Sequence, residues 1–228
     1  MIDVATNYAR VRDKVAQAAL RCGRSPEAIT LVCAAKTKGP ELIRAALAAG
    51  ATDIGENYVQ EAQQKIAQVP EPVRWHLIGH LQRNKARIAV RLFTLIHSLD
   101  NLPLAQELHR QGEKLGTVVR ALIEVNLGNE LTKSGIAAHQ VERLLEGVAD
   151  LPCLRVEGLM TIPPPGQDAE AARPYFRALA RLREQYTTVG ATNIELRELS
   201  MGMTDDYAVA IEEGATIVRI GRAIFGER

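Results

Sequence analysis

Apolar and β-branched runs alternate along the chain with segments in which apolar residues recur every three or four positions. The runs cover residues 29–35, 51–54, 73–78, 92–96, 118–125, 154–160, 194–199 and 215–220. Short continuous runs of this kind suit strands buried on both faces of a parallel sheet. Between them the period is helical. Leu42, Ile43, Ala46 and Leu47 share one face behind Gly39-Pro40, where proline fits the first helical turn. Val141, Leu144, Leu145 and Val148 repeat the pattern, as do Tyr175, Leu179, Leu182 and Tyr186. Residues 204–213 also read as helical, with Thr204 as N-cap and Asp205 and Asp206 in the first turn. Val4, Tyr8, Val11 and Val15 predict one more helix ahead of the first strand.

Eight strand-then-helix units in 228 residues predict a lean (β/α)8 barrel, just under the usual size of about 250 residues. No linker-like composition shift interrupts the chain, and Pro163-Pro164-Pro165-Gly166 is too short to separate domains. A single domain over residues 1–228 is therefore expected. A doubly wound open sheet uses the same alternation and stays open on pattern alone.

Composition narrows the partners. With 46% hydrophobic and 24% charged residues the chain affords a sizeable core. Its 28 Lys and Arg against 27 Asp and Glu leave a net charge of +1, which removes the electrostatic case for nucleic acid or an anionic membrane. No run approaches the roughly 18 apolar residues of a membrane span. The first 22 residues mix Asp3, Arg10, Arg12, Asp13 and Lys14 with apolar positions, unlike a signal peptide. Cys22, Cys33 and Cys153 show neither disulfide nor metal-ligand spacing, so no metal site and a reducing, cytoplasmic setting are expected.

In such a barrel, chemistry collects where the strands end. The residues following the runs are Lys36, Glu56-Asn57, Gly79-His80, His97-Ser98, Asn126, Thr161, Ser200-Met201-Gly202 and Arg219-Ile220-Gly221. Turns are polar in any case, so this rim is suggestive only. Lys36 is sharper. Strand alternation puts Val32, Ala34 and Lys36 on one face, and a lysine entering a confined mouth has a depressed pKa and a nucleophilic amine. Lys38 nearby adds a second cation, although a lysine at a strand end also reaches solvent by extending its stem. At the last two exits, Ser200-Met201-Gly202 and Gly221 precede helix-like segments, the arrangement that presents backbone amides to a phosphate. A Schiff-base lysine facing a phosphate cradle suggests pyridoxal 5'-phosphate (PLP) or a phosphosugar aldolase substrate. His76 reads as a packed core residue, His80 as a site-lining candidate without a legible partner, and Arg83, Lys85 and Arg87 as a solvated face.

The residues together resemble a known family, the YggS-like or proline-synthetase-co-transcribed pyridoxal phosphate homeostasis proteins. The resemblance runs through Ala34-Ala35-Lys36-Thr37-Lys38, Gly55-Glu56-Asn57-Tyr58, Trp75-His76-Leu77-Ile78-Gly79-His80, Ser200-Met201-Gly202-Met203 and Val218-Arg219-Ile220-Gly221. It covers nearly the whole chain. It implies a (β/α)8 barrel similar to the barrel domain of alanine racemase, without that enzyme's second, β-rich domain. It implies PLP held as a covalent aldimine on Lys36, the phosphate on Ser200 and the amides of Gly221 and Arg222, and Met201 and Gly202 lining it. Arg219 is then the partner of the pyridine nitrogen and Asn57 lies beside the ring. The chain departs from the pattern at Ala35, at Lys38-Gly39-Pro40, and at Arg222, where a small Thr or Ser is frequent.

An arginine at the pyridine nitrogen disfavours its protonation and weakens the cofactor as an electron sink. No tyrosine in the sequence is nominated as a second base. The expectation is a monomeric cofactor carrier with no catalytic residues and little turnover, serving vitamin B6 and amino-acid homeostasis and delivering PLP to PLP-dependent apo-enzymes. The alternatives are a weak PLP enzyme such as an amino-acid racemase, or a PLP-free Schiff-base aldolase.

Overall fold

The computed structural model describes residues 2–128, 130, 133–166, 168–186 and 191–227. Helix α1 (Val4–Arg21) comes first. There follow β1 (Thr30–Ala34), α2 (Pro40–Ala48), β2 (Asp53–Glu56), α3 (Val59–Ile66), β3 (Arg74–Leu77), α4 (Ala86–Leu92), β4 (Leu95–Leu99) and α5 (Leu102–Leu115). The second half runs β5 (Val119–Glu124), α6 (Val141–Ala149), β6 (Leu154–Met160), α7 (Arg173–Tyr186), β7 (Ile194–Ser200), α8 (Tyr207–Glu212), β8 (Ile217–Ile220) and α9 (Arg222–Phe225). The eight strands are parallel and close in chain order, with β8 returning to β1 through the pairs Val32–Arg219 and Cys33–Ile220. Closure excludes the open doubly wound sheet.

Strand alternation splits the apolar residues into two cores. Val32, Ala34, Ile78, Leu95, Leu122, Met160 and Ile217 pack together inside the barrel. The larger cluster, including Cys33, Ile54, Leu77, Ile96 and Ile123, packs outward against the helices. Buried Val4, Tyr8, Val11 and Val15 seat α1 as expected, and the Tyr8 hydroxyl donates to Gly50 O at 3.2 Å.

Three expected boundaries move. Run 92–96 is out of frame, because Leu92 completes α4 and only Phe93 and Thr94 separate that helix from β4. His97 and Ser98 are consequently buried strand residues and not exit residues. The helix expected over 204–213 is shorter. Thr204 lies in the turn before α8, where the Asp206 carboxylate accepts from the Met203 amide at 2.6 Å. On α7 the buried residues are Phe176 and Leu179, so its inward face is turned by about one residue from the stripe through Tyr175.

Phe176 is fully enclosed between α7 and the barrel wall. Phe176→Ala is expected to cost about 3–5 kcal/mol in urea unfolding with an unchanged slope. A loss below about 1 kcal/mol would show that α7 packs less tightly than this burial implies.

Candidate functional site

A cavity of about 510 Å³ opens at the C-terminal end of the strands, lined by Ala34, Lys36, Asn57, Ile78, Thr204, Arg219, Gly221 and Arg222 among others. The sequence-predicted Lys36, Asn57, Arg219, Gly221 and Arg222 thus meet in one place. Ser200, Met201 and Gly202 do not line it.

Lys36 leaves β1 half-buried, and the chain turns at once. Thr37 adopts φ 65°, a left-handed conformation that a β-branched residue takes only under constraint. The constraint is Glu61 on α3, whose Oε1 accepts from the Thr37 amide at 2.7 Å. The same oxygen meets the Lys65 ammonium at 2.7 Å. Lys65 is buried and also donates to Ala35 O at 2.8 Å and to Glu56 Oε1 at 2.7 Å. One lysine therefore ties the ends of β1 and β2 to α3 and fixes the turn that follows Lys36. Burial pushes the Glu56 carboxyl up to about 7, against the pull of Lys65. The Lys38 ammonium is turned away from this task, donating to Glu227 O at 2.7 Å and Gly226 O at 3.2 Å.

Arg219 comes from β8 and is buried. Burial lowers its pKa to about 10, with Glu124 and Asp206 offsetting part of that shift. It donates to Ser200 Oγ at 2.5 Å and to Thr161 O at 2.9 Å. Ser200, expected as a phosphate ligand, lies outside the cavity lining. Ser200 is the last residue of β7, fully buried below the mouth, with its hydroxyl engaged by Arg219 and His97. Met201 is likewise fully buried. Gly202 has φ 94°, and a Cβ there would sit 2.6 Å from the Ala210 Cβ, so the chain bends here only with glycine. The hydroxyl that lines the cavity from this segment belongs to Thr204, which the sequence reading treated only as a cap.

At Gly221 an added Cβ would lie 2.9 Å from Ala34 O, which is how β8 and β1 bring backbone close together at the mouth. Arg222 aims its guanidinium outward at Asp205, 2.5 Å away, and at Glu227, 3.3 Å away. Its side chain therefore straps the loop after β7 to α9 and leaves the backbone amide as its link to the cavity. His80 is exposed and meets Asp100 at 3.3 Å. Asn126 serves its own loop through Glu130 O, and the Thr161 hydroxyl donates across from the end of β6 to Val125 O at the end of β5.

Sequence reasoning missed Asp53, Glu124 and Lys65, and named His97 only as a strand exit. Glu124 ends β5, on the wall opposite β1, two residues beyond the inward-facing Leu122. Burial raises its carboxyl to about 7, reinforced by Asp100 and eased by Arg219. Asp53 behaves oppositely. Burial opposes its ionisation, but hydrogen bonds from His76, Arg74 and Thr52 outweigh that and hold it well below the usual carboxylate range.

The model of the alanine racemase N-terminal domain matches residues 6–228. The pyridoxal phosphate homeostasis protein of Escherichia coli is 43% identical over 236 residues, covering all of this chain and 98% of the relative. The structure of PipY from Synechococcus elongatus, solved with PLP bound, is 34% identical with a TM-score of 0.86 and covers 98% of this chain and all of PipY. Alanine racemase from Clostridium difficile, at 14% identity and a TM-score of 0.71, shares the fold over 89% of this chain and 53% of its own.

The raised carboxyls set a pH dependence. Between the ordinary value of 4.5 and about 7, folded Glu56 and Glu124 keep protons that the unfolded chain has released. The contribution of these two carboxyls to stability therefore falls as pH rises through that window. Glu124→Gln should remove its share, raising the slope of stability against pH in chemical denaturation at stepped pH. An unaltered slope would mean that Glu124 is ionised in the folded protein.

Proposed function

The chain belongs to the pyridoxal phosphate homeostasis protein family, on the alanine racemase N-terminal barrel, and we propose that it carries PLP in the barrel mouth on Lys36 as a store and donor, with little turnover. The observation that carries this reading is the meeting of a half-buried lysine amine and a buried guanidinium in one cavity. The residues present fit the group. About 510 Å³ lies within the range of pockets for cofactor-sized ligands. The donor set matches an aldehyde, a pyridine nitrogen and a phosphate, each with a partner of suitable chemistry.

When bound, PLP supplies an aldehyde that condenses reversibly with amines and a pyridine ring that withdraws electrons. Lys36 provides the amine, aimed by the turn that Glu61 and Lys65 hold. Arg219 faces the ring nitrogen. A guanidinium donates and cannot accept, so it keeps that nitrogen unprotonated and the ring a poor electron sink. The hydroxyl of Thr204 and the amides of Gly221 and Arg222 hold the phosphate, and Asn57 lies beside the ring. All of these groups come from one chain, so a monomer suffices. Recipients are PLP-dependent apo-enzymes.

A weak amino-acid racemase is the second reading. The observation in its favour is a buried carboxyl near pKa 7, Glu124, at the end of the strand opposite β1 and outside the residues that line the cavity.

Borohydride reduction of the loaded protein and peptide mapping should place a pyridoxyl group on Lys36. Lys36→Ala should lose it and stay folded. A label found mainly on Lys38 or Lys65, or none at all, would sink the assignment. Carriage is separated from storage by mixing the loaded protein with an apo-enzyme and a PLP trap. Transfer faster than release to the trap supports delivery, and steady turnover of alanine without any acceptor would favour the racemase.

A further inference from the structure

Five polar side chains form a continuous line through the barrel interior. Arg219 Nη1 lies 2.5 Å from Ser200 Oγ, which lies 2.9 Å from His97 Nδ1. His97 Nε2 is 2.9 Å from His76 Nδ1, and His76 Nε2 is 2.9 Å from Asp53 Oδ1. Asp53, His76, His97, Ser200 and Arg219 are all buried. At the far end Arg74 grips both Asp53 oxygens, at 2.7 and 2.5 Å, and Thr52 adds a bond of 2.7 Å. We propose that Asp53, His76, His97 and Ser200 are a one-way hydrogen-bond relay that orients Arg219 at the cavity, which makes Ser200 a positioning residue and not a phosphate ligand.

The two ends fix the direction. Arginine has no lone pair to offer, so Ser200 Oγ accepts from it, and the serine's single proton must go to His97 Nδ1. His97 then carries its own proton on Nε2 and donates it to His76 Nδ1. His76 in turn carries a proton on Nε2 and donates it to Asp53, which is ionised beside Arg74. Each group's role follows from its neighbour's, and both histidines are the neutral Nε2–H tautomer. The reversed chain fails at both ends. It would set a bare nitrogen lone pair against the Asp53 carboxylate, and it would aim two donors at Ser200 while leaving the serine proton without an acceptor. Burial, together with the charge of Arg219, also keeps His97 neutral.

The consequence falls on Arg219. Its bonds to Ser200 Oγ and Thr161 O hold one edge of the guanidinium against the barrel wall. The Ser200 lone pair it uses is directed by the serine's own bond to His97. Removing Ser200 or its acceptor frees the guanidinium to turn and leaves buried groups unpaired. Only the choice of probe ligands below rests on the cofactor reading.

Two measurements decide it. The first needs no cofactor. Side-chain 15N spectra of the protein at pH 8 should show two of its five histidines, His76 and His97, as Nε2–H tautomers with protected protons. An Nδ1–H tautomer or a doubly protonated ring at either position would overturn the relay. The second measures affinities for PLP and for pyridoxal, which lacks the phosphate. Ser200→Ala should weaken both by a similar factor, roughly tenfold or more for a lost hydrogen bond to a charged group, and Ser200→Thr should restore both. A loss for PLP with unchanged pyridoxal binding would make Ser200 a phosphate ligand, and no loss for either would remove its positioning role. Should Ser200→Ala not fold, His97 replaces it. His97→Gln keeps an acceptor for Ser200 and a donor for His76, and is expected to bind pyridoxal nearly as the unaltered protein does, whereas His97→Leu is not. Equal affinities for the two variants would contradict the proposal. If the unaltered protein binds neither ligand, the cofactor reading fails while the tautomers still decide the relay.

Discussion

A permanent cation enclosed in the barrel is the constraint around which the interior is arranged. Arg219 stands on β8 with its guanidinium removed from water, a position that costs several kcal/mol unless charge and hydrogen bonds offset it. The compensation comes from several strands. Thr161 and Ser200 offer oxygens, Glu124 and Asp206 offer negative potential, and the line through His97 and His76 links the guanidinium to the Asp53 carboxylate. A barrel interior of apolar residues alone could not hold this arginine. The polar line is therefore part of what lets a cation face the cavity.

The second cation is handled differently. Lys36 lies at the mouth, and its placement depends on the Thr37 turn behind it. Lys65 contacts two carboxyl groups and the carbonyl of Ala35, so that a left-handed threonine is held by contacts from two strands and a helix. The fixed guanidinium and the aimed amine line one cavity. On the proposed reading they take the ligand by its ring nitrogen and its aldehyde.

The barrel was legible because closed parallel strands leave continuous apolar runs, and all eight runs overlap their strands, the one at 92–96 with the largest displacement. The run at 92–96 is displaced because Leu92 continues a helical stripe into an apolar residue that looks the same in either state. Lys36, Asn57, Arg219, Gly221 and Arg222 were legible as strand exits and through family resemblance. Ser200 was misplaced because β7 runs one residue further than its apolar pattern, which moves the hydroxyl from the loop into the barrel interior and leaves Thr204 at the mouth. The line from Asp53 to His97 was hidden for a different reason. Strand alternation marks Asp53, Gly55 and Asn57 as one face and His76 and Ile78 as another, but only closure shows that these faces look at each other. Lys65 gave no signal, since a helical lysine among Glu and Gln residues reads as a solvated charge.

The central claim is that Arg219 holds the ligand's ring nitrogen as an acceptor. It is tested most directly by 15N NMR of the protein loaded with PLP labelled at that nitrogen. An unprotonated-pyridine shift is expected throughout the neutral pH range in the unaltered protein and in Arg219→Lys, and a shift towards pyridinium in Arg219→Glu. A pyridinium shift in the unaltered protein would contradict it, and with it the argument that the site stores the cofactor and does not drive its chemistry.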